Sequence, residues 1–241
     1  MKSYDSIAVY YRKFYNVFFD RVSIIRFLKK IFYKFNISKK SKILDVGCGT
    51  GSLLRLLARM GFGHLYGVDR SSRMIKIAGC VLLSDNVKLY NEDFLKFDSK
   101  HRFDVILSTV DVLNHIDRKH LLKYLKKVKK LLSGDGIFIF DLNTQEYLER
   151  LAKRKKAVKR IKDMLLYWKF NKAGQKIIIH FSVIDRNRTV YDKIIQYIYR
   201  EEEVEKLLEK SGFLIVEKVY DYKSSVKTSF CSKVCYVCKK I

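Results

Sequence analysis

The stretch Ile43-Leu44-Asp45-Val46-Gly47-Cys48-Gly49-Thr50-Gly51 decides the fold. Four residues of a short buried strand run into three glycines at alternate positions, and Ser52 to Met60 follows as a helix with Leu53, Leu54, Leu56 and Leu57 inward. Glycine in such a strand-to-helix turn permits the tight bend and removes the Cβ that would keep a ligand off the backbone. A second strand, His64 to Val68, ends at Asp69, eighteen residues after Gly51. A carboxylate there can accept hydrogen bonds from both ribose hydroxyls of an adenosine. The Gly-x-Gly-x-Gly spacing differs from the Gly-x-Gly-x-x-Gly of dinucleotide enzymes. Asp45, two residues before the glycines, would repel a pyrophosphate and suit a cationic ligand.

Outward from this stretch, strand and helix alternate. Ser71 or Ser72 can cap the next helix, which Gly79 closes near its end. Val87 to Tyr90 and Phe103 to Leu107 read as the third and fourth strands. Arg118 to Leu132 reads as a helix, Ser133 to Gly136 as a turn and Ile137 to Phe140 as the fifth strand. This rhythm implies an α/β fold with a parallel sheet and right-handed crossovers. After Thr144 it changes. Residues 144–162 read as a basic helix, followed by strand-like runs at 165–170, 176–184 and 189–199 joined by short turns, an antiparallel insert. Glu201 to Lys210 reads as a helix, and Phe213 to Tyr220 with Lys233 to Lys239 as a closing hairpin. Residues 1–40 are rich in aromatics, with helical spacing from about Val17 to Phe35.

The motifs resemble those of the class I S-adenosylmethionine-dependent methyltransferases. Residues 43–51 look like their first motif, and Gly67-Val68-Asp69-Arg70-Ser71-Ser72-Arg73-Met74 resembles the second. Asn91-Glu92-Asp93-Phe94, the stretch from Phe103 to Asp111, and Leu131 to Asp141 resemble the later segments in order. The resemblance implies a Rossmann-like seven-stranded, mostly parallel sheet with helices on both faces. It implies S-adenosylmethionine bound by Asp45, Gly47, Cys48, Gly49 and Gly51, with Asp69 at the ribose, Met74 and Asp93 at the adenine, and Arg70 and Phe94 also in contact with the cofactor. Ser108 and Tyr11 complete that expected set. A finer similarity joins Tyr4 through Tyr11, Asp111-Val112-Leu113-Asn114-His115 and Phe140-Asp141-Leu142-Asn143-Thr144 to small-molecule methyltransferases of bacteria and archaea. There an N-terminal aromatic segment covers the cofactor and the insert covers the substrate. Tyr11-Arg12 departs from that group's Tyr-Asp. The implied division is a 1–40 cap, a 41–143 cofactor-binding core, a 144–200 insert and a 201–241 segment completing the sheet. Asp111, Asn114 and Asn143 are the implied substrate residues.

His115 lies just past the fourth strand. It is a candidate general base, because a neutral imidazole can take a proton from an amine or hydroxyl; a positioning residue is the other reading. Cys231, Cys235 and Cys238 have a spacing that iron–sulfur enzymes use, but strand alternation puts Cys235 and Cys238 on opposite faces, so no metal is expected. The five cysteines favour free thiols in a reducing cytoplasm. No apolar run spans a membrane or forms a signal peptide.

The net charge is +25 and the chain contains no proline. AT-rich codon usage accounts for part of a lysine excess, but not for its placement. Arg150 to Lys162 contains eight basic residues and no acid. That run reads as a solvated helix face or as a contact for nucleic acid such as RNA, an anionic membrane or an acidic substrate. Three functions remain open: a small-molecule methyltransferase, an RNA methyltransferase using the basic insert, and a non-catalytic cofactor-binding protein. The proline-containing motifs of DNA amino- and cytosine-C5 methyltransferases are excluded outright.

Overall fold

The computed structural model describes residues 4–11, 20–82, 86–186 and 188–241. Its chain order is α1 (Arg21–Lys34), β1 (Lys42–Val46), α2 (Ser52–Arg59), β2 (His64–Asp69), α3 (Ser72–Val81), β3 (Val87–Asn91), β4 (Phe103–Ser108), α4 (Arg118–Leu131), β5 (Leu132–Asn143) and α5 (Gln145–Arg154). It continues with β6 (Lys156–Ile161), β7 (Met164–Lys172), β8 (Lys176–Asp185), β9 (Arg188–Tyr197), α6 (Glu201–Lys210), β10 (Phe213–Tyr220) and β11 (Lys233–Lys240). One sheet has seven strands in the order β10-β11-β5-β4-β1-β2-β3. Strands β1 to β5 run parallel, and β11 is antiparallel to both neighbours. A second sheet, β6-β7-β8-β9, is antiparallel throughout. The fold is the Rossmann-like α/β class with an antiparallel insert after β5.

Alternation along the central strands builds two cores. Leu44, Ile106, Phe138, Phe140 and Tyr236 face one way, against Leu121, Leu125 and Val128 of α4 and Val204 and Leu208 of α6. Ile43, Val105, Leu107, Ile139 and Val237 face the other, against Ile24, Leu28 and Ile31 of α1 and Leu54 and Leu57 of α2. Each such buried side chain contributes about 1.5–3 kcal/mol. The Asp20 carboxylate caps α1 by accepting from Ser23 N at 3.0 Å, and Ser71 caps α3 by accepting from Met74 N at 3.2 Å. Cys235 packs in the second core and Cys238 in the first, as alternation requires.

Several boundaries differ from the sequence reading. The helix expected over 144–162 stops at Arg154, and Lys155 adopts φ 61°. The second half of the basic run forms β6, a fourth strand of the insert paired with β7. Continued as a helix, the run would set Lys155 beside Lys159 and Lys156 beside Arg160, like charges four residues apart that destabilise it, whereas Val158 and Ile161 favour the extended ladder. The Ser133–Gly136 segment is part of β5; a Cβ on Gly136 would come within 2.9 Å of the Phe103 carbonyl oxygen, so glycine lets β5 pass close to β4. Gly79 sits inside α3 and does not end it. Val17 to Phe19 and Arg12 fall outside the described residues.

The insert has its own core, in which Leu166, Phe170, Ile177, Phe181 and Val183 pack with Leu148 of α5 and Ile7 of the N-terminal segment. That segment is also tied to the main sheet, since Ser71 Oγ donates to Asp5 Oδ1 at 2.5 Å. Among the described residues, no helix is long and apolar enough to cross a membrane.

Candidate functional site

The chain reverses its direction of travel across the sheet between β1 and β4, and ligands of open α/β sheets bind at the carboxyl ends of the strands beside such a point. A cavity of about 680 Å³ lies there. Its floor is the loop after β1. Gly49 has φ 53°, and a Cβ built on it would meet nothing within 4 Å, so its open side is left for a ligand. Gly51 also has a positive φ, 73°, but its missing Cβ serves packing, since it would lie 2.7 Å from Leu82 Cδ1. Asp69 closes the loop: its carboxylate accepts from Gly49 N at 2.9 Å and from Ser71 N at 2.8 Å. Each oxygen keeps a second lone pair for a hydroxyl.

Asp45 is 3% exposed and lines the cavity. Among the described residues no hydrogen-bond donor answers its carboxylate. Burial, with the neighbouring Asp69 charge, pushes its carboxyl up to about 8. Burial also raises Asp69, against its two backbone hydrogen bonds. A buried carboxylate without a donor calls for a cation. The unanswered carboxylate of Asp45, the open face of Gly49 and the spare acceptor sites of Asp69 fit a ligand with an ammonium group and a ribose.

The cavity brings together Asp45, Gly47, Cys48 and Gly49 with Asp69, Arg70 and Met74. Asp93 and Phe94 line the same cavity after β3, and Tyr11 and His115 line it from above. Gly51, Ser108, Asp111, Asn114 and Asn143 are not in its walls. Ser108 is buried and shares a hydrogen bond of 2.5 Å with Tyr124, which does line it.

The three residues expected at the substrate instead join the core to the insert. Asn114 donates to the Tyr197 carbonyl at 3.0 Å and accepts from Asn143 N at 2.8 Å. Asn143 Nδ2 donates to Gln196 Oε1 at 3.0 Å, and Gln196 donates to Asp111 Oδ2 at 2.5 Å. Lys233, from the start of β11, puts its ammonium 3.0 Å from Asp111, 3.2 Å from Asp141 and 3.1 Å from Asn143 Oδ1. Burial opposes that charge, but the two carboxylates overcome it and hold the lysine above its usual range. Asp141 also accepts from Val110 N at 2.7 Å, Asp111 N at 2.6 Å and the Tyr222 hydroxyl. These bonds pin Val110 at φ 64° and Asp111 at φ 56°. A β-branched residue in that region is strained and persists only when its surroundings impose it.

The pinned loop aims His115. Its Nδ1 lies 2.9 Å from the Ile195 carbonyl oxygen, and its Nε2 lies 3.1 Å from Tyr4 Oη. A carbonyl can only accept, so Nδ1 carries the proton and the lone pair of a neutral ring sits on Nε2. That lone pair faces the Tyr4 hydroxyl. Asp111 Oδ2 is 3.5 Å from the same Nε2.

Tyr4 and Asp141 lie in the quoted motifs but carried no assigned role, and Lys233 and Gln196 were not singled out from sequence. Tyr4 stands in a segment with many other aromatics, and Lys233 in a strand 122 residues from Asp111, so nothing local marks them. Among the described residues no group of three or more His, Cys, Asp or Glu is placed to hold a metal ion.

Residues 19–218 match the family model described as a methyltransferase domain. An uncharacterized protein of Methanocaldococcus jannaschii is 30% identical over 99% of this chain and 89% of its own length. The crystal structure of an S-adenosylmethionine-dependent methyltransferase from Clostridium acetobutylicum superposes with a TM-score of 0.88, at 25% identity and 98% coverage of both chains. A sugar N-methyltransferase from Streptoalloteichus shares the fold, with a TM-score of 0.70 at 17% identity, over 94% of this chain and 92% of its own. The seven-stranded sheet, the glycine loop closed by Asp69 and these matches together place the chain in the class I S-adenosylmethionine-dependent methyltransferase family, as a methyltransferase enzyme.

Proposed function

We propose that the chain moves a methyl group from S-adenosylmethionine to a small-molecule acceptor by direct displacement. The observation that carries the cofactor assignment is the buried carboxylate of Asp45, which has no donor among the described residues and faces the cavity. In this reading Asp45 holds the ammonium group and Asp69 the ribose hydroxyls. Met74 and Phe94 flank the adenine, whose amino group Asp93 receives. Bound there, the cofactor supplies a methyl group activated by a sulfonium. The chain aligns the acceptor with that methyl, since in-line alignment is the main requirement of such a transfer. His115 Nε2 takes the proton of an acceptor amine or hydroxyl.

The small-molecule assignment rests on the cavity's cover. Tyr4 and Tyr11 of the N-terminal segment, and Ile195 and Tyr197 of the insert, line it together with the core residues. A reaction chamber walled by three parts of the chain suits an acceptor small enough to enter whole. The fold shared with a sugar N-methyltransferase supports an amine or hydroxyl on a polar metabolite. The five free cysteines fit a reducing, cytoplasmic setting.

The test is a thermal-shift screen of metabolites in the presence of S-adenosylhomocysteine, followed by methyl transfer from labelled cofactor to each hit. Acceptor-dependent transfer supports the reading. Tight cofactor binding with no transfer to any pool would favour a non-catalytic binding protein. Transfer only to an RNA fraction would move the acceptor to the polymer class.

A further inference from the structure

The outer face of the four-stranded sheet carries a charge pattern that the methyltransferase site does not use. Strand register sets Lys156 opposite Lys169, Lys169 opposite His180 and His180 opposite Lys193, one row across all four strands. All four residues are exposed. The next row is Val158, Tyr167, Ser182 and Tyr191, and the one after it is Arg160, Leu165, Ile184 and Thr189. The residues between them along the strands, such as Leu166, Phe181, Val183 and Ile194, are buried in the insert's core. Alternation therefore puts all three rows on the opposite, outward face. These rows contain no aspartate or glutamate. Tyr191 is 69% exposed, Val158 52% and Ile184 38%.

Like charges directly opposite one another on a sheet are destabilising. Among the described residues neither Lys156 nor Lys169 has an ion-pair partner. A face built this way is relieved by an anionic occupant. A second copy of the chain would set one lysine row against another. A lipid surface wants a continuous apolar band sunk below the headgroups, whereas here the apolar row lies between lysines and Arg160. Rings interleaved with cations are what a single strand requires, since bases stack on ring faces while phosphates meet the cations.

We propose that this face binds single-stranded nucleic acid, with bases on Tyr167 and Tyr191 and phosphates on Lys156, Lys169 and Lys193. The face runs toward the methyltransferase cavity. Ile195, two residues along β9 from Lys193 on the same side, is part of the cavity wall, so the lysine row ends about 7 Å from it. Binding here does not depend on which acceptor is methylated.

Fluorescence anisotropy of a short labelled oligouridine with the full chain tests this. Three phosphate contacts give a loss of about twentyfold between about 50 and 200 mM salt, from a slope near −0.7 per contact. The triple variant Lys156→Gln, Lys169→Gln, Lys193→Gln should lose that binding and most of the salt dependence. Its melting temperature should not fall, because the like-charge row is removed. The double variant Tyr167→Ala, Tyr191→Ala should weaken binding about tenfold or more while keeping the slope. Both variants should bind S-adenosylhomocysteine as the parent does. Parent-level oligouridine binding by the folded triple variant would overturn the proposal. So would a dimer in sedimentation that the Tyr191→Ala change dissolves. Binding to phosphatidylcholine vesicles doped with phosphatidylserine, with none to oligouridine, would overturn it too.

Discussion

The hydroxyl of Tyr4 donates to Nε2 of His115 across 3.1 Å, so the N-terminal segment caps the lone pair that would take a proton from the acceptor. Because the Ile195 carbonyl occupies Nδ1, Nε2 is the nitrogen of the His115 ring that keeps a lone pair. In the proposed reaction an acceptor would displace the tyrosine hydroxyl from it on binding. His115→Ala should therefore lower kcat on the acceptor by about 10²–10⁴-fold with little change in S-adenosylhomocysteine affinity. Tyr4→Phe should leave kcat within about tenfold and move KM. Equal kcat for His115→Ala and parent would reduce His115 to a positioning residue.

In the proposed reading, Asp45 gives the cofactor site a pH dependence. Its carboxyl, pushed up to about 8, is largely protonated at neutral pH in the free protein. A cation needs the ionised form. Affinity for S-adenosylhomocysteine should rise from about pH 6 toward 8, by close to tenfold per unit, and then level off. The stability of the free protein should run the other way. The folded state holds this proton more tightly than the unfolded chain, whose aspartate titrates near about 3.9. The contribution is thus full below about pH 4 and is lost as pH rises toward 8, by at most about 1.4 kcal/mol per unit. Asp45→Asn should flatten both profiles. A calorimetric affinity that does not change with pH would count against an ammonium at Asp45.

Asp69 should matter twice, because its carboxylate closes the glycine loop and, in the proposed reading, also holds the ribose. Asp69→Ala should weaken S-adenosylmethionine binding by roughly 1.5–3 kcal/mol, through lost charge-assisted hydrogen bonds. Asp69→Asn keeps an acceptor and should lose less. Calorimetry showing unchanged affinity for the alanine variant would remove Asp69 from the ribose.

Lys233 is the cation between two buried carboxylates, with Asp141 fully buried and Asp111 largely so. Lys233→Met leaves both without their ion pair and should cost about 3–5 kcal/mol in urea denaturation. Asp141→Asn added to it should recover part of that loss, since one unpaired charge is removed. A change below about 1 kcal/mol for Lys233→Met would mean that solvent reaches the cluster and the loop is pinned by other groups.

The sequence alone determined the central sheet, the cofactor loop and the order of the elements, because their signals are local. Strand β1, its three glycines and helix α2 occupy consecutive residues, and Asp69 lies one strand away. Eleven of the expected site residues, from Tyr11 to His115, do line one cavity. The tertiary structure alone decided what Asp111, Asn114 and Asn143 do. They sit in the right stretch of chain, but their side chains turn toward Gln196, Tyr197 and Lys233, all distant in sequence. It also decided the end of the basic helix, because β6 exists only where β7 returns to pair with it. A hydrogen bond between residues 80 apart, such as His115 to the Ile195 carbonyl, leaves no periodicity or composition in either segment. Propensity and spacing report what a segment does by itself, whereas that contact depends on how the insert packs back onto the sheet.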